Sequence, residues 1–361
     1  MSAGGLAGVF PVLTVGALLC SMPAVTRPTV QFGVRVPRER AGAPVIRRER
    51  RAYHWRTAAI GACCTVVAVA TMGYGSWWLS KIILLLELAA GLGCFLVARR
   101  KIAAVKNADG WFAGLRQTVV ADTSWRTDPP RFPVRWLVPA LAVMAATATV
   151  GALRYPALPT YIVNGSGHRV SKAVVSVLVV AGQLYFTAVY SGLMLIVYRS
   201  RPDIEAADPA ASTLRYRRFL AAITRALLTL AALVDVSLLL IALPDWQVYR
   251  LSGIGRALPV LPFAAGVLLL GAVAARTGQG GSRLNGNVRG LAQPAGTDRD
   301  DDRFWKAGLL YVNRDDPALV VGARFGVGWA LNFGKPVAWL LIAGFVAWWA
   351  GLATLGAVAG L

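Results

Sequence analysis

Two carboxylic acids, Glu87 and Asp235, lie inside long apolar stretches of this 361-residue chain. A charge near the centre of a bilayer costs about 2.5–3.5 kcal/mol on insertion scales, so such a group is expected to face a partner or a wet cavity. Each acid falls about eight residues from one end of its stretch, or roughly 12 Å at the helical rise. At a common depth, two acids could share a proton or hold a cation. Gln183, with Tyr185 and Tyr190, places further polar groups in another stretch. The plainer expectation is a neutral carboxyl, or one bonded to a hydroxyl or indole N–H of a neighbouring helix. Lys81 and Arg225 sit near stretch ends, where long side chains reach the headgroups.

Other chemistry is sparse. The chain has no Walker loop, no G-x-G-x-x-G after a strand, no H-E-x-x-H and no nucleophile elbow. Its two histidines, His54 and His168, stand far apart, and His54 sits among arginines. Cys20, Cys63, Cys64 and Cys94 all fall within apolar stretches, as small buried hydrophobes do. No catalytic residue, metal ligand set or cofactor is expected.

The elements that must position the acids are eight apolar runs, near 6–25, 57–76, 79–98, 136–153, 173–198, 219–243, 258–275 and 337–358. About 20 residues cross the hydrocarbon layer. Of the 38 Lys and Arg residues, 31 lie in the four segments that follow odd-numbered runs. Cytoplasmic loops collect Lys and Arg. The expectation is therefore an all-α, polytopic transmembrane bundle of about eight spans with both termini outside. The prevalence of Arg over Lys and the abundance of Ala suggest a bacterial source, and so a bacterial plasma membrane. A net charge of +21 invites a nucleic-acid reading, but the basic residues flank membrane-length runs. Attraction to an anionic inner leaflet, about 1 kcal/mol per nearby Lys or Arg, accounts for them without nucleic acid.

The organisation expected is a seven-span bundle over 1–275, a flexible Gly-rich linker over 276–297, a membrane-proximal cytoplasmic module over 298–335 and a last span over 336–361. Pro44 can open a helix at its first turn, continuing the basic run Arg47–Arg56 into the second span. Within the module, Arg314-Asp315-Asp316-Pro317 is turn chemistry, so a short hairpin or turn unit is predicted. Its acidic residues lack the spacing of a calcium loop.

Three motifs carry a resemblance. The first is Asp302-Arg303-Phe304-Trp305-Lys306-x-Gly308-x-x-Tyr311-x-Asn313-x-Asp315-Asp316-Pro317, continued by Arg324-Phe325-Gly326-x-Gly328-x-x-x-Asn332-Phe333. It resembles a C-terminal module of unknown function in bacterial membrane proteins grouped with the SdpI-like family. The second, Tyr155-Pro156-x-Leu158-Pro159 with Gly165, Ser171 and Lys172, is similar to that family's extracellular loop; Tyr161 and Gly167 stand about where the family carries His and Asp, and His168 lies beside them. The third is Gly33-x-Arg35-x-Pro37. The resemblance implies non-enzymatic immunity to a membrane-active peptide, or sensing of a small ligand coupled to a cytoplasmic regulator. It marks Trp305, Lys306, Tyr311, Asn313, Asp315, Asp316, Arg324 and Asn332 as module candidates. A small-solute or ion transporter and a structural subunit of a membrane complex are the alternatives.

Overall fold

A computed structural model of the chain describes residues 3–71, 77–112, 128–163, 169–200, 209–249, 258–284 and 301–359. Among these, eight long helices coincide with the eight apolar runs. They are α1 (Ala3–Val25), α2 (Pro44–Ala70), α3 (Trp77–Ala108), α4 (Val138–Arg154), α5 (Lys172–Arg199), α6 (Pro209–Asp245), α7 (Val260–Thr277) and α8 (Pro336–Ala359). Five helical stretches among the described residues are long and apolar enough to cross a membrane: Trp78–Ala108, Val134–Ala157, Lys172–Arg199, Ala211–Asp245 and Val260–Gly281. Val9–Val25 and Pro336–Gly351 are shorter apolar helices.

The short hairpin or turn unit expected before the last span is present, but elsewhere the all-α expectation needs a correction. The described residues also hold four two-stranded antiparallel sheets: β1 (Val30–Gln31) with β2 (Val34–Arg35), β3 (Tyr161–Val163) with β4 (Arg169–Ser171), β5 (Trp305–Lys306) with β6 (Leu310–Tyr311), and β7 (Val320–Gly322) with β8 (Trp329–Leu331). Backbone at the turns makes them. Phe32 and Gly33 both take positive φ (48° and 71°), the pair a tight two-residue hairpin demands. In the three-residue loop between β5 and β6, Ala307 and Gly308 also take positive φ, at 51° and 75°.

The chain forms two compact units. One comprises residues 1–130, 200–220 and 274–335; the other comprises 131–199, 221–273 and 336–361. In the first, α1, α2 and α3 pack together. On α2, Ile46, Glu49, Tyr53 and Thr57 are buried at helical spacing, whereas Arg47, Arg48, Arg51, Trp55 and Arg56 face outward. Pro44 opens α2, which runs unbroken from the basic segment into the apolar one. The hairpins β5–β6 and β7–β8 meet through a Tyr311–Asn332 bridge over a core of Trp305, Tyr311, Ala318 and Val321.

The start of the stretch read as a linker is folded, because Gln279 is buried. Its Nε2 donates to the carbonyls of Ala323 (3.2 Å) and Gly328 (2.8 Å), and its Oε1 accepts from the Gly328 N–H (2.7 Å). Residues 285–297 of that stretch lie outside the described residues.

In the second unit, α4 packs on α5, and Leu158, Ile162, Ala242 and Trp246 form one cluster. Gly151 admits the Trp246 ring: a Cβ there would sit 3.1 Å from it.

Candidate functional site

One polar constellation in the first unit is built on α3. At 1.5 Å per residue its 32 residues span about 48 Å, more than the roughly 30 Å hydrocarbon layer, so one end projects beyond it. Arg99 and Lys106 lie on that end, seven residues apart and so on one face. Lys106 Nζ donates to Asp302 Oδ2 at 2.5 Å, and Arg99 Nη1 donates to the Gly33 carbonyl at 2.7 Å. Arg324 Nη1 donates to the same carbonyl at 3.0 Å and also forms an ion pair with Asp302 Oδ1. The Arg35 backbone N–H completes the ring, donating to Asp302 Oδ1 at 3.2 Å.

The Gly33-x-Arg35-x-Pro37 loop, the projecting end of α3 and the C-terminal module are thus joined at one carboxylate. Burial alone would raise the Asp302 carboxyl, but Arg324 and Lys106 outweigh it and hold the group below the usual carboxylate range.

Apolar packing fixes the same junction. Phe32 is buried with its ring centroid 5.1 Å from Tyr53, 5.8 Å from Phe325 and 6.1 Å from Phe95. A bulky residue at positive φ is a strained outlier. Here three rings from three chain segments hold it. Gly33 meets Gly308 backbone to backbone, with no room for a Cβ. The Arg324 guanidinium lies 4.9 Å from the Trp305 ring centroid, and Arg35 lies 4.8 Å from that of Phe112. Pro37 is buried and precedes a single turn of 3-10 helix over Arg38–Arg40.

The remaining module candidates are consumed in shaping the module itself. Asn332 is fully buried. Its Nδ2 donates to the carbonyls of Asn313 (2.8 Å), Ala318 (3.0 Å) and Asp316 (3.4 Å), and its Oδ1 accepts from the N–H groups of Asn313 and Gly334 (3.0 Å each). Tyr311 Oη donates to Asp316 Oδ2 at 2.9 Å, and Asn313 Oδ1 accepts from the Asp315 N–H at 3.0 Å. Asp315 and Lys306 are exposed.

The two intramembrane acids belong to different units and have different surroundings. Glu87, on α3 in the first unit, is fully buried, and neither carboxyl oxygen has a hydrogen-bond partner among the described residues. Asp235, on α6 in the second, is also fully buried, but Oδ2 accepts from Thr187 Oγ1 at 3.0 Å. Gln183 Nε2 donates to the Asp235 backbone carbonyl (2.9 Å) and to Thr147 Oγ1 (2.8 Å). A polar layer thus ties α4, α5 and α6 together. Beside it, a groove of about 590 Å³ runs between α4 and α5, lined by residues including Thr147, Gly151, Tyr155, Ser176 and Val180.

In the loop after α4, Lys172 Nζ donates to the carbonyls of Tyr155 (3.2 Å) and Leu158 (3.3 Å) and lies 4.6 Å from the Tyr155 ring centroid. It fastens the hairpin to the helix end. Tyr161 opposes Ser171 in that hairpin and is exposed; His168 lies outside the described residues.

Sequence reasoning singled out Gly33, Arg35 and Arg324 but not Arg99, Lys106 or the pivotal role of Asp302. The seven-residue spacing of two cations beyond an apolar run was the available signal.

Residues 314–339 match the family model described as Family of unknown function (DUF5808). The match covers Asp315, Asp316, Arg324 and Asn332, and with them a C-terminal module of unknown function. No curated protein and no solved structure matches the chain.

Proposed function

We propose that this chain is a non-enzymatic, multi-pass plasma-membrane protein of about eight spans and SdpI-like type. It senses, or confers immunity to, a membrane-active peptide or small ligand and signals to a cytoplasmic regulator. The observation that carries the reading is the course of α3. One helix bears a buried acid at Glu87, then Arg99 and Lys106, whose side chains grip the Gly33 loop and Asp302 of the module. From Glu87 to Lys106 is roughly 28 Å along a single rigid element. An event in the membrane that shifts α3 changes the contacts Asp302 makes. The outward Arg47, Arg48, Arg51, Trp55 and Arg56 of α2 suit the anionic inner leaflet, where aromatic and basic side chains settle.

The test is survival of cells with and without the chain during challenge with cationic membrane-active peptides, alongside cross-linking of soluble partners to the module. Protection or ligand-dependent cross-linking that is lost in Asp302→Asn supports the proposal. Unchanged survival with no cross-linked partner rejects it. The second reading, a small-solute or ion transporter, draws on the groove between α4 and α5, and solute flux in proteoliposomes decides it.

A further inference from the structure

We infer that Glu87, seated against Gly16 and Gly61, is a proton-binding site in the first unit. The inference does not rest on sensing or immunity. A Cβ on Gly16 would lie 2.8 Å from Glu87 Oε1, and one on Gly61 would lie 3.4 Å from it. The same Cβ on Gly16 would also lie 3.4 Å from Gly61 Cα. So α1 and α2 come together at two residues without side chains, and the carboxyl of α3 occupies the room this leaves. Any larger residue at position 16 would displace it.

Residues 3–25 of α1 include no acid or base; Cys20 lies one turn from Gly16, and its Sγ is 3.2 Å from Thr57 Oγ1. From α2, Cys64 is half-buried, and neighbouring Cys63 is exposed. On α3, Lys81 is exposed and points about 120° around the helix from Glu87, while Arg99 is roughly 18 Å along it. Among the described residues, none donates a hydrogen bond to the carboxyl.

An ionised carboxylate buried without a partner is strongly disfavoured, and neutralisation removes that cost. A metal ion would need several further oxygen ligands, whereas the neighbours that shape the niche are glycine Cα groups. A proton needs only the acid itself. Release of that proton leaves a bare charge between α1 and α2, so the helices must part at Gly16 and Gly61 or admit water.

The experiment is labelling of the full chain, in detergent micelles and in liposomes, with dicyclohexylcarbodiimide. The acid proton moves to a carbodiimide nitrogen and the carboxylate oxygen bonds to the central carbon. An oxygen-to-nitrogen acyl shift then leaves a stable N-acylurea. Peptide mass spectrometry should find the adduct on Glu87, declining severalfold as pH rises from mildly acid to alkaline. It should be absent in Glu87→Gln and retained at Glu87 in Asp235→Asn. Gly16→Ala should reduce it severalfold. Absence of a Glu87 adduct in folded wild-type protein overturns the site, as does labelling indifferent to pH. Protection by sodium ions at fixed pH makes it a metal-cation site and overturns the proton assignment. Because wild-type labelling is read directly, a Glu87→Gln variant that fails to fold leaves the test intact.

Discussion

Arg324 uses one nitrogen for two acceptors, the carboxylate of Asp302 and the carbonyl oxygen of Gly33. Two segments 269 residues apart in sequence (291 − 22) are thereby held on one side chain. Replacing Asp302 with Asn strips the buried Arg324 of its countercharge, a change that costs about 3 kcal/mol in comparable pairs. Because the Asp302 carboxyl is held below its ordinary range, its stabilisation is complete above the unfolded value of about 4. It disappears as pH falls through the lowered folded value. Thermal unfolding across that acid range should show wild type converging on Asp302→Asn, with the gap restored at neutral pH.

Asn332 makes its hydrogen bonds where water cannot replace them. Asn332→Ala orphans buried backbone groups at Asn313, Asp316 and Ala318, each worth about 1–3 kcal/mol. Asn332→Asp should be no milder, since a second oxygen would face three carbonyls. Faster limited proteolysis between β5 and β8, with the transmembrane helices still protected, is the expected readout.

Gly33→Ala and Gly308→Ala each place a Cβ in a left-handed backbone pressed against other atoms. Each should destabilise the first unit by about 1–3 kcal/mol of strain, read as a lower melting temperature. The double variant should cost less than the sum, because the two glycines touch. Full additivity would refute the contact.

In the second unit, Thr187→Val removes the donor that reaches Asp235 Oδ2. A loss of about 1–3 kcal/mol is expected, and Asp235→Asn in the same background should recover part of it by removing the ionisable group. Detergent-resistant melting of single and double variants measures both.

Reporter fusions at Gly42 and Gly253 should report opposite compartments, the first cytoplasmic and the second external. The same compartment for both would break the eight-span topology.

The helices were legible because apolar runs of membrane length have a simple signature, and Pro44 marks its helix start openly. A short hairpin or turn unit in the module was legible from its turn chemistry, but the β1–β2 and β3–β4 hairpins were not. Strands of two or three residues carry no period, and the turn at Phe32-Gly33 depends on a phenylalanine in a backbone shape that local preference disfavours. Asp235 met the plain expectation of a hydroxyl partner in Thr187, whereas Glu87 faces glycines, which no charge or hydropathy pattern announces. The roles of Arg99 and Lys106 stayed hidden for another reason. Their partners Gly33 and Asp302 lie 66 and 196 positions away.

The setting of Phe32 also dictates an order of events during synthesis. Its ring needs Phe325, and at about 5–20 residues per second the roughly 290 intervening residues take about 15–60 s to make. During that interval the nascent N-terminal hairpin carries an unfilled aromatic socket beside the newly inserted helices. A chain that stops early therefore shows cellular quality control a surface that the finished protein hides.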